Sequence, residues 1–320
     1  MLRYILKRLL WMIPVLLGVS FIVFTLMHFA PGDPAESALG YEATDEQKDK
    51  WRIEQGLDKP FLVQYGTYMY KVITKLDFGT SYNTGRPIIT EIKDRFPTTV
   101  SVALVAVALT QLVGIPIGII SAVKQYSVAD NVLMILALIG VSMPSFWVGL
   151  MFSIIFALNL RWLPASGLYG PKYYILPCTA LALCSIAMSA RMTRSSMLDV
   201  IRQDYITTAR AKGVSENKVI TKHALRNAMI PIITQIGMST SMLIGGAMVT
   251  EIVFAIPGMG TYLVNSIRAL DYPAILSTAI VIAFFTSIIM LIIDLAYAFV
   301  DPRIRSQFKG KKLVPRRKTA

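Results

Sequence analysis

Charge is scarce in this sequence. Asp, Glu, Lys and Arg make up 16% of 320 residues and hydrophobic residues 54%, against about 25% and 45–50% in a soluble domain. Too little charge is present to cover a water-facing surface, which argues against a soluble globular enzyme. Cysteine is nearly absent. Cys178 and Cys184 share one apolar stretch, which excludes a disulfide scaffold and any CxxC redox or zinc motif. The sequence contains no G-x-x-x-x-G-K-S/T phosphate loop, no HExxH and no GxSxG elbow. Residues 79–86 come nearest to the phosphate loop, but have five residues between their glycines and no Lys. No catalytic residue, cofactor site or metal site of the chain's own is expected.

What is present is a set of long charge-free runs. Six occur, at residues 9–32, 96–123, 131–160, 173–190, 227–250 and 272–293, the last continuing past Asp294 to Val300. A bilayer core of roughly 30 Å needs about 20 apolar residues of helix. Backbone groups in lipid must be satisfied within the segment, and porin-type alternation is missing, so six transmembrane helices are expected. Arg3, Lys7 and Arg8 before the first run also suit a secretory signal. That run is longer than the 7–15 residues of a signal core, and Pro31 and Pro34 make a poor cleavage site, so an uncleaved first helix is expected.

Orientation follows from Lys and Arg. With the N-terminus inside, twenty basic residues fall inside and twelve outside, and nine of those twelve sit in one long loop where the rule has little force. The inside then carries net +15 and the outside −1. The overall charge of +13 thus reads as a topology signal rather than as a nucleic-acid surface, and both termini are expected in the cytoplasm. His28 and His223 fall on opposite sides and cannot share a metal.

Two connections are longer than turns. In the outer loop, 31–95, Phe61, Tyr65, Tyr68, Val72 and Leu76 recur at helical spacing and predict a short amphipathic helix ending near Gly79. Phe61, Tyr65, Tyr68 and Val72 are candidates for a docking surface or cap at the outer mouth; a helix lying on the headgroups or packed on the bundle is the other reading. The inner connection, 191–226, extends the fourth span to about Val200. It then offers a short helix ending at Gly213 and a second one, capped by Ser215, running toward His223, with Pro231 opening the next span. Ala209, Ala211 and Gly213 would let another protein approach closely; a basic hairpin on anionic lipid is the alternative.

Within the spans, Gln235, Ser239, Met242, Gly246 and Thr250 fall on one helical face and are candidates for lining a water-filled path. Gly114 and Gly118 form a GxxxG that suits close helix packing, and Pro116 and Pro144 are expected to kink their spans. Asp294 lies near the inner end with Asp301 and Arg303 nearby, where a structural ion pair or cap is expected over a proton relay.

Residues 203–213 and 222–231 together resemble the EAA loop of ABC importer permeases, most closely in the branch that imports dipeptides and oligopeptides, and also nickel. Pro31-Gly32-Asp33-Pro34, Pro144-Ser145-Phe146-Trp147, Trp162-Leu163-Pro164, residues 251–260 and Asp301-Pro302-Arg303-Ile304-Arg305 resemble landmarks of that branch, so the likeness covers nearly the whole chain. Thr207 and Thr208 stand where Glu and Ala are usual, and the distance from Gly213 to Pro231 is about five residues longer than in sugar-type permeases. The resemblance implies an all-α polytopic membrane protein of type I importer architecture in the bacterial inner membrane. Its parts would be a first helix with its outer loop (1–95), a five-helix permease core containing the coupling loop 203–231 (96–302), and a basic cytoplasmic tail (303–320). Thr207, Thr208, Ala209, Arg210, Ala211, Lys212 and Gly213 would form the segment seated in an ATPase.

The same resemblance implies partners: a second homologous permease, two cytoplasmic ATPases that bind ATP and magnesium, and an extracytoplasmic peptide-binding protein, for which Phe61, Tyr65, Tyr68 and Val72 are the candidate contacts. Nickel or glutathione import within the branch is the nearest alternative. A stand-alone ion-coupled transporter using Asp294 and Glu251 is the alternative from another class, with few charged residues in the spans and no clear inverted repeat to support it.

Overall fold

Apolar runs without water must close their backbone hydrogen bonds locally, and in this chain they do so as helices. The computed structural model describes residues 2–300. The tail 303–320 and the landmark at 301–305 lie outside the described residues. In chain order the helices are α1 (Leu2–His28), α2 (Pro34–Leu39), α3 (Asp45–Gln55), α4 (Phe61–Lys75), α5 (Ile88–Val123), α6 (Val128–Ser142), α7 (Ser145–Phe152), α8 (Ile175–Ile201), α9 (Asp204–Ala211), α10 (Glu216–Lys218), α11 (Leu225–Val253), α12 (Met259–Arg268) and α13 (Tyr272–Val300). No strand is found among the described residues. Five helical stretches are long and apolar enough to cross a membrane among the described residues, or six if α6 and the helix after it count as one span.

That pair departs from the expected single kinked span over 131–160. The chain turns by 101° between α6 and the helix running on through a π-helical stretch to Asn159. Pro144 causes the break: it has no N–H to continue the ladder, and its ring pushes Met143 into extended geometry (φ −94°, ψ 126°). At 15 residues, α6 is roughly 22 Å long, short of a bilayer core. Pro116, by contrast, sits inside the unbroken 36-residue α5.

The centre of the bundle is the α5–α8 contact. A Cβ placed on Gly114 would lie 2.8 Å from Ser189 Cβ, and one on Gly118 would lie 2.5 Å from both Ala190 O and Thr193 Cβ. The GxxxG of α5 therefore lets two backbones touch. Around this contact Val102, Ala106, Leu181, Leu243, Ala247 and Phe254 from α5, α8, α11 and the segment after it form one buried cluster.

Buried polar clamps pin the two ends. At the end where α5 turns into α6, Asp130 is 1% exposed and accepts two 2.7 Å bonds from Arg194 of α8, plus bonds from Ser121 and the Tyr126 N–H. At the other end Glu91, also 1% exposed, lies between Arg86 and Arg95, each at 2.7 Å. Asp33 caps α2 through the Ala35 N–H and meets Arg52 at 2.5 Å. Burial pushes its carboxyl up, but the Arg52 guanidinium outweighs that and holds it below the usual carboxylate range. Asp294, expected to pair near Asp301 and Arg303, meets Arg8 of α1 at 2.7 Å.

Gly118→Val should destabilise the bundle by about 1–3 kcal/mol, the usual effect of overpacking. Gly245→Val on α11 should not, because nothing lies within 4 Å of its Cβ position. Thermal melts of the purified protein check this, and equal melting temperatures would remove α5–α8 contact as the organising feature.

Candidate functional site

Three features position the residues singled out from the sequence. The first is a hairpin made by α9 and α10. Gln203 provides extended geometry before α9, Lys212 ends it, and Gly213 takes φ +75°, a left-handed conformation that glycine adopts without strain. Its N–H donates to Arg210 O at 2.9 Å, and the Val214 N–H to Ala209 O at 3.3 Å. Arg210 then reaches across the turn to Glu216 with two bonds of 3.0 and 2.7 Å. That carboxylate raises the already high pKa of the guanidinium.

The hairpin is anchored by Ile206, which is fully buried among Met197, Val219, Ile220, Ala224 and Ala228. Asn227 fixes Tyr205 from the α11 side, donating to its phenol oxygen at 2.8 Å. With those two residues turned inward or tied down, Thr207, Thr208, Arg210, Ala211, Lys212 and Gly213 are exposed and Ala209 is half-buried. The sequence-derived segment therefore stays together on one outward-facing turn.

The second short helix expected after Ser215 is not separate. Ser215 occupies the capping position without a side-chain capping bond. The chain runs through α10, a π-helical stretch (Val219–Ala224) and α11 as one continuous helical segment from Glu216 to Val253. No glycine interrupts residues 216–236, so nothing stops the helix, and Pro231 lies inside it rather than at its start. The hairpin is thus directly continuous with a membrane-spanning helix. The extension of α8 through Val200 is present as expected.

The second feature is the face of α11. Gln235, Ser239 and Thr250 are buried within the chain, Gly246 is half-buried against Leu181, and Met242 is exposed. Gln235 donates to Ser239 at 3.0 Å and Thr250 to Gly246 O at 3.3 Å, so these polar groups are satisfied by α11 itself. The outward seam lies one position over, at Thr234, Met238, Met242, Gly245 and Val249. Helical spacing alone does not say which side of a helix meets its neighbours, and here the more polar side is buried, with Leu181 of α8 packed at Gly246.

The third is the cap formed by residues 33–87 at the opposite end of the bundle. Phe61 packs on Phe21, Phe24 and His28 of α1, and Tyr65 bonds Ser20 at 2.9 Å. Tyr68 bonds Ser277 of α13 at 2.7 Å, and Val72 is buried. These four therefore hold α4 on the bundle, and Leu62, Val63, Tyr70 and Ile73 form its outward face.

Glu251, weighed from the sequence as an ion-coupling acid, is fully buried at the same end. One oxygen accepts the Thr99 hydroxyl at 2.5 Å; the other accepts the Gly260 and Thr261 N–H groups at 2.7 and 3.1 Å. It caps α12 and ties it to α5. Sequence reading missed the Asp130–Arg194 and Glu91–Arg86 clamps, whose partners are 64 and 5 positions apart with no motif to connect them.

Ile206→Ala should cost about 2–5 kcal/mol of local packing and open the hairpin. Trypsin cleavage after Lys212 should then accelerate, whereas Thr208→Ala, which removes only an exposed bond to Asp204 O, should leave the rate unchanged. Equal rates in both variants would mean that Ile206 is not the anchor.

The same architecture occurs in known proteins. Residues 114–306 match the family described as binding-protein-dependent transport system inner membrane component, and residues 1–103 match the N-terminal membrane component of such systems. The dipeptide transport system permease protein DppB of Alkalihalophilus pseudofirmus is 41% identical over 333 residues, covering 95% of this chain and 100% of that one. The glutathione transport system permease protein GsiC of Salmonella choleraesuis is 43% identical over 305 residues, covering 95% and 99%. Among solved structures, a chain of the MetNI methionine ABC transporter in an inward-facing conformation aligns with a TM-score of 0.58 at 14% identity. The alignment covers 67% of this chain and 98% of that one, and shows a shared fold. This chain belongs to the family of binding-protein-dependent transport system inner membrane components, the multi-pass permeases of bacterial ABC importers.

Proposed function

We propose that this chain is the permease subunit of an ATP-driven importer of dipeptides and oligopeptides, coupled to a cytoplasmic ATPase through α9. The observation that carries the reading is the hairpin. It presents a small-residue turn at Ala209, Ala211 and Gly213, is anchored by a fully buried Ile206, and continues without a break into α11. A push on such a turn is delivered to the far end of a helix rather than dissipated in a loop. The substrate class is supported by relatives named for dipeptide and for glutathione transport, and glutathione is itself a tripeptide.

In this reading both termini and α9 face the cytoplasm, in keeping with the excess of Lys and Arg on that side. Two ATPases bind ATP and magnesium, and their closure moves the seated hairpins. A second homologous permease completes the path, with the α11 seam at Met238, Met242, Gly245 and Val249 facing it. The unbranched methionines there adapt to varied side chains. An extracytoplasmic binding protein delivers peptide to the opposite end, where the outward face of α4 is available to it. The switch between inward- and outward-facing states is then a rigid-body rearrangement driven from the hairpin.

Ala211→Trp tests the coupling, because Ala211 is exposed and the change leaves the fold untouched. In the reconstituted complex, ATPase stimulation by a peptide-loaded binding protein should fall by about tenfold or more, the loss of at least 1.4 kcal/mol at a contact, with an unchanged melting temperature. Full stimulation would show that α9 is not the seat. Orientation has its own check. A membrane-impermeant maleimide should label Tyr41→Cys in intact spheroplasts and Lys212→Cys only after permeabilisation; the reverse pattern would invert the topology.

A further inference from the structure

A cavity of about 320 Å3 opens beneath the cap, at the end of the bundle away from the hairpin. Its size is at the lower end of the range for small-molecule sites. One face of α4 lines it, with Gln64, Thr67, Tyr68 and Lys71 at i, i+3, i+4 and i+7, and the start of α13 and the stretch 77–82 form other walls. The turn before α4 is held in place by the Gln64 amide, which donates to Leu57 O at 3.0 Å and Lys59 O at 2.7 Å.

The lining has two carboxylates, Glu54 and Asp77, and two amines, Lys59 and Lys71. All four are exposed, and among the described residues none belongs to an ion pair, whereas Lys48, Arg52 and Arg86 of the same cap do; Asp77 accepts only the Gly79 N–H, at 2.9 Å. Half-buried Phe78 and Tyr82 add aromatic surface between the charges. A concave, partly apolar site holding unpaired charges of both signs matches a ligand that carries an ammonium and a carboxylate on a short frame.

We propose that this cavity binds a small zwitterion of amino-acid to dipeptide size, with its ammonium toward Glu54 and Asp77 and its carboxylate toward Lys59 and Lys71. The choice of a dipeptide as probe rests on the peptide-importer reading; the zwitterion chemistry does not. Such a ligand would bridge α4 and the start of α13, the same two elements that Tyr68 and Ser277 join.

The test uses the permease complex in nanodiscs without any binding protein, titrated calorimetrically with alanyl-alanine. Saturable binding at millimolar or tighter Kd is expected. Glu54→Gln with Lys71→Gln should weaken it by about tenfold or more, as lost charge-assisted hydrogen bonds do. Thr67→Trp, which fills the cavity from the surface of α4, should abolish it, and N-acetyl-alanyl-alanine amide, which has neither charge, should not bind. No saturable binding, equal binding of the uncharged analogue, or binding unchanged in Thr67→Trp would each overturn the proposal. Binding-protein-dependent uptake of the same dipeptide by the wild-type complex is measured alongside. Its absence counts against the transport reading and leaves the cavity result standing.

Discussion

Backbone contact between α5 and α8 is the constraint from which the rest of the bundle follows. Gly114 and Gly118 leave no room for a side chain against Ser189, Ala190 and Thr193, so the two helices approach as closely as helices can. In lipid, where burying apolar surface gives little advantage over facing a fatty chain, such close packing is a main source of association. With this pair fixed, α6 and α7 pack on α8 from one side and α11 from another, and the buried cluster around Leu181, Leu243 and Ala247 closes between them.

Where the helices leave the apolar layer, position is set by buried acids. Asp130, Glu91 and Glu251 are each 1% exposed or less; Asp130 and Glu251 take partners from distant stretches of chain, Arg194 and Thr99, while Glu91 is held by the nearby Arg86 and Arg95. Burying a charge is costly, and such clamps add little net stability over an apolar alternative. Their effect is geometric: a clamp with one partner displaced leaves an unpaired charge, so the arrangement is held tightly. Asp130 fixes the α5–α6 turn to α8 just before the hairpin, while Glu251 fixes α12 to α5 at the far end. The bundle is therefore braced at both ends, and α11 is the element that runs from the hairpin end to Glu251.

Membrane character, helical class and the approximate extents of the spans were legible in the sequence because the bilayer imposes them residue by residue. A run without charge has few alternatives to a helix, and a GxxxG within it points to a close neighbour. The hairpin was legible in the same way, since Gly213 and the small residues before it act locally. The break at Pro144 was visible as a breaker, but its 101° turn was not, because the angle depends on what each arm packs against. Nor was the lack of a break after Ser215 visible, where a separate helix was expected and a continuous one formed.

Which side of each helix faces inward was decided by tertiary structure alone. In α4 the face of Phe61, Tyr65, Tyr68 and Val72 is spent on α1 and α13. In α11 Gln235 and Ser239 turn inward and Met238 and Met242 outward. Periodicity identifies a stripe, but in a membrane both the lipid-facing and the neighbour-facing stripes are apolar, so composition does not tell them apart. Long-range clamps such as Asp130–Arg194 were hidden for a related reason: nothing local couples residues 64 positions apart. The sequence by itself determined that this chain crosses a membrane as helices and turns sharply at Gly213 between two of them, because those follow from solvent and short-range stereochemistry. Tertiary structure decided which faces are buried and which acids are clamped, because those depend on neighbours brought together only by the fold.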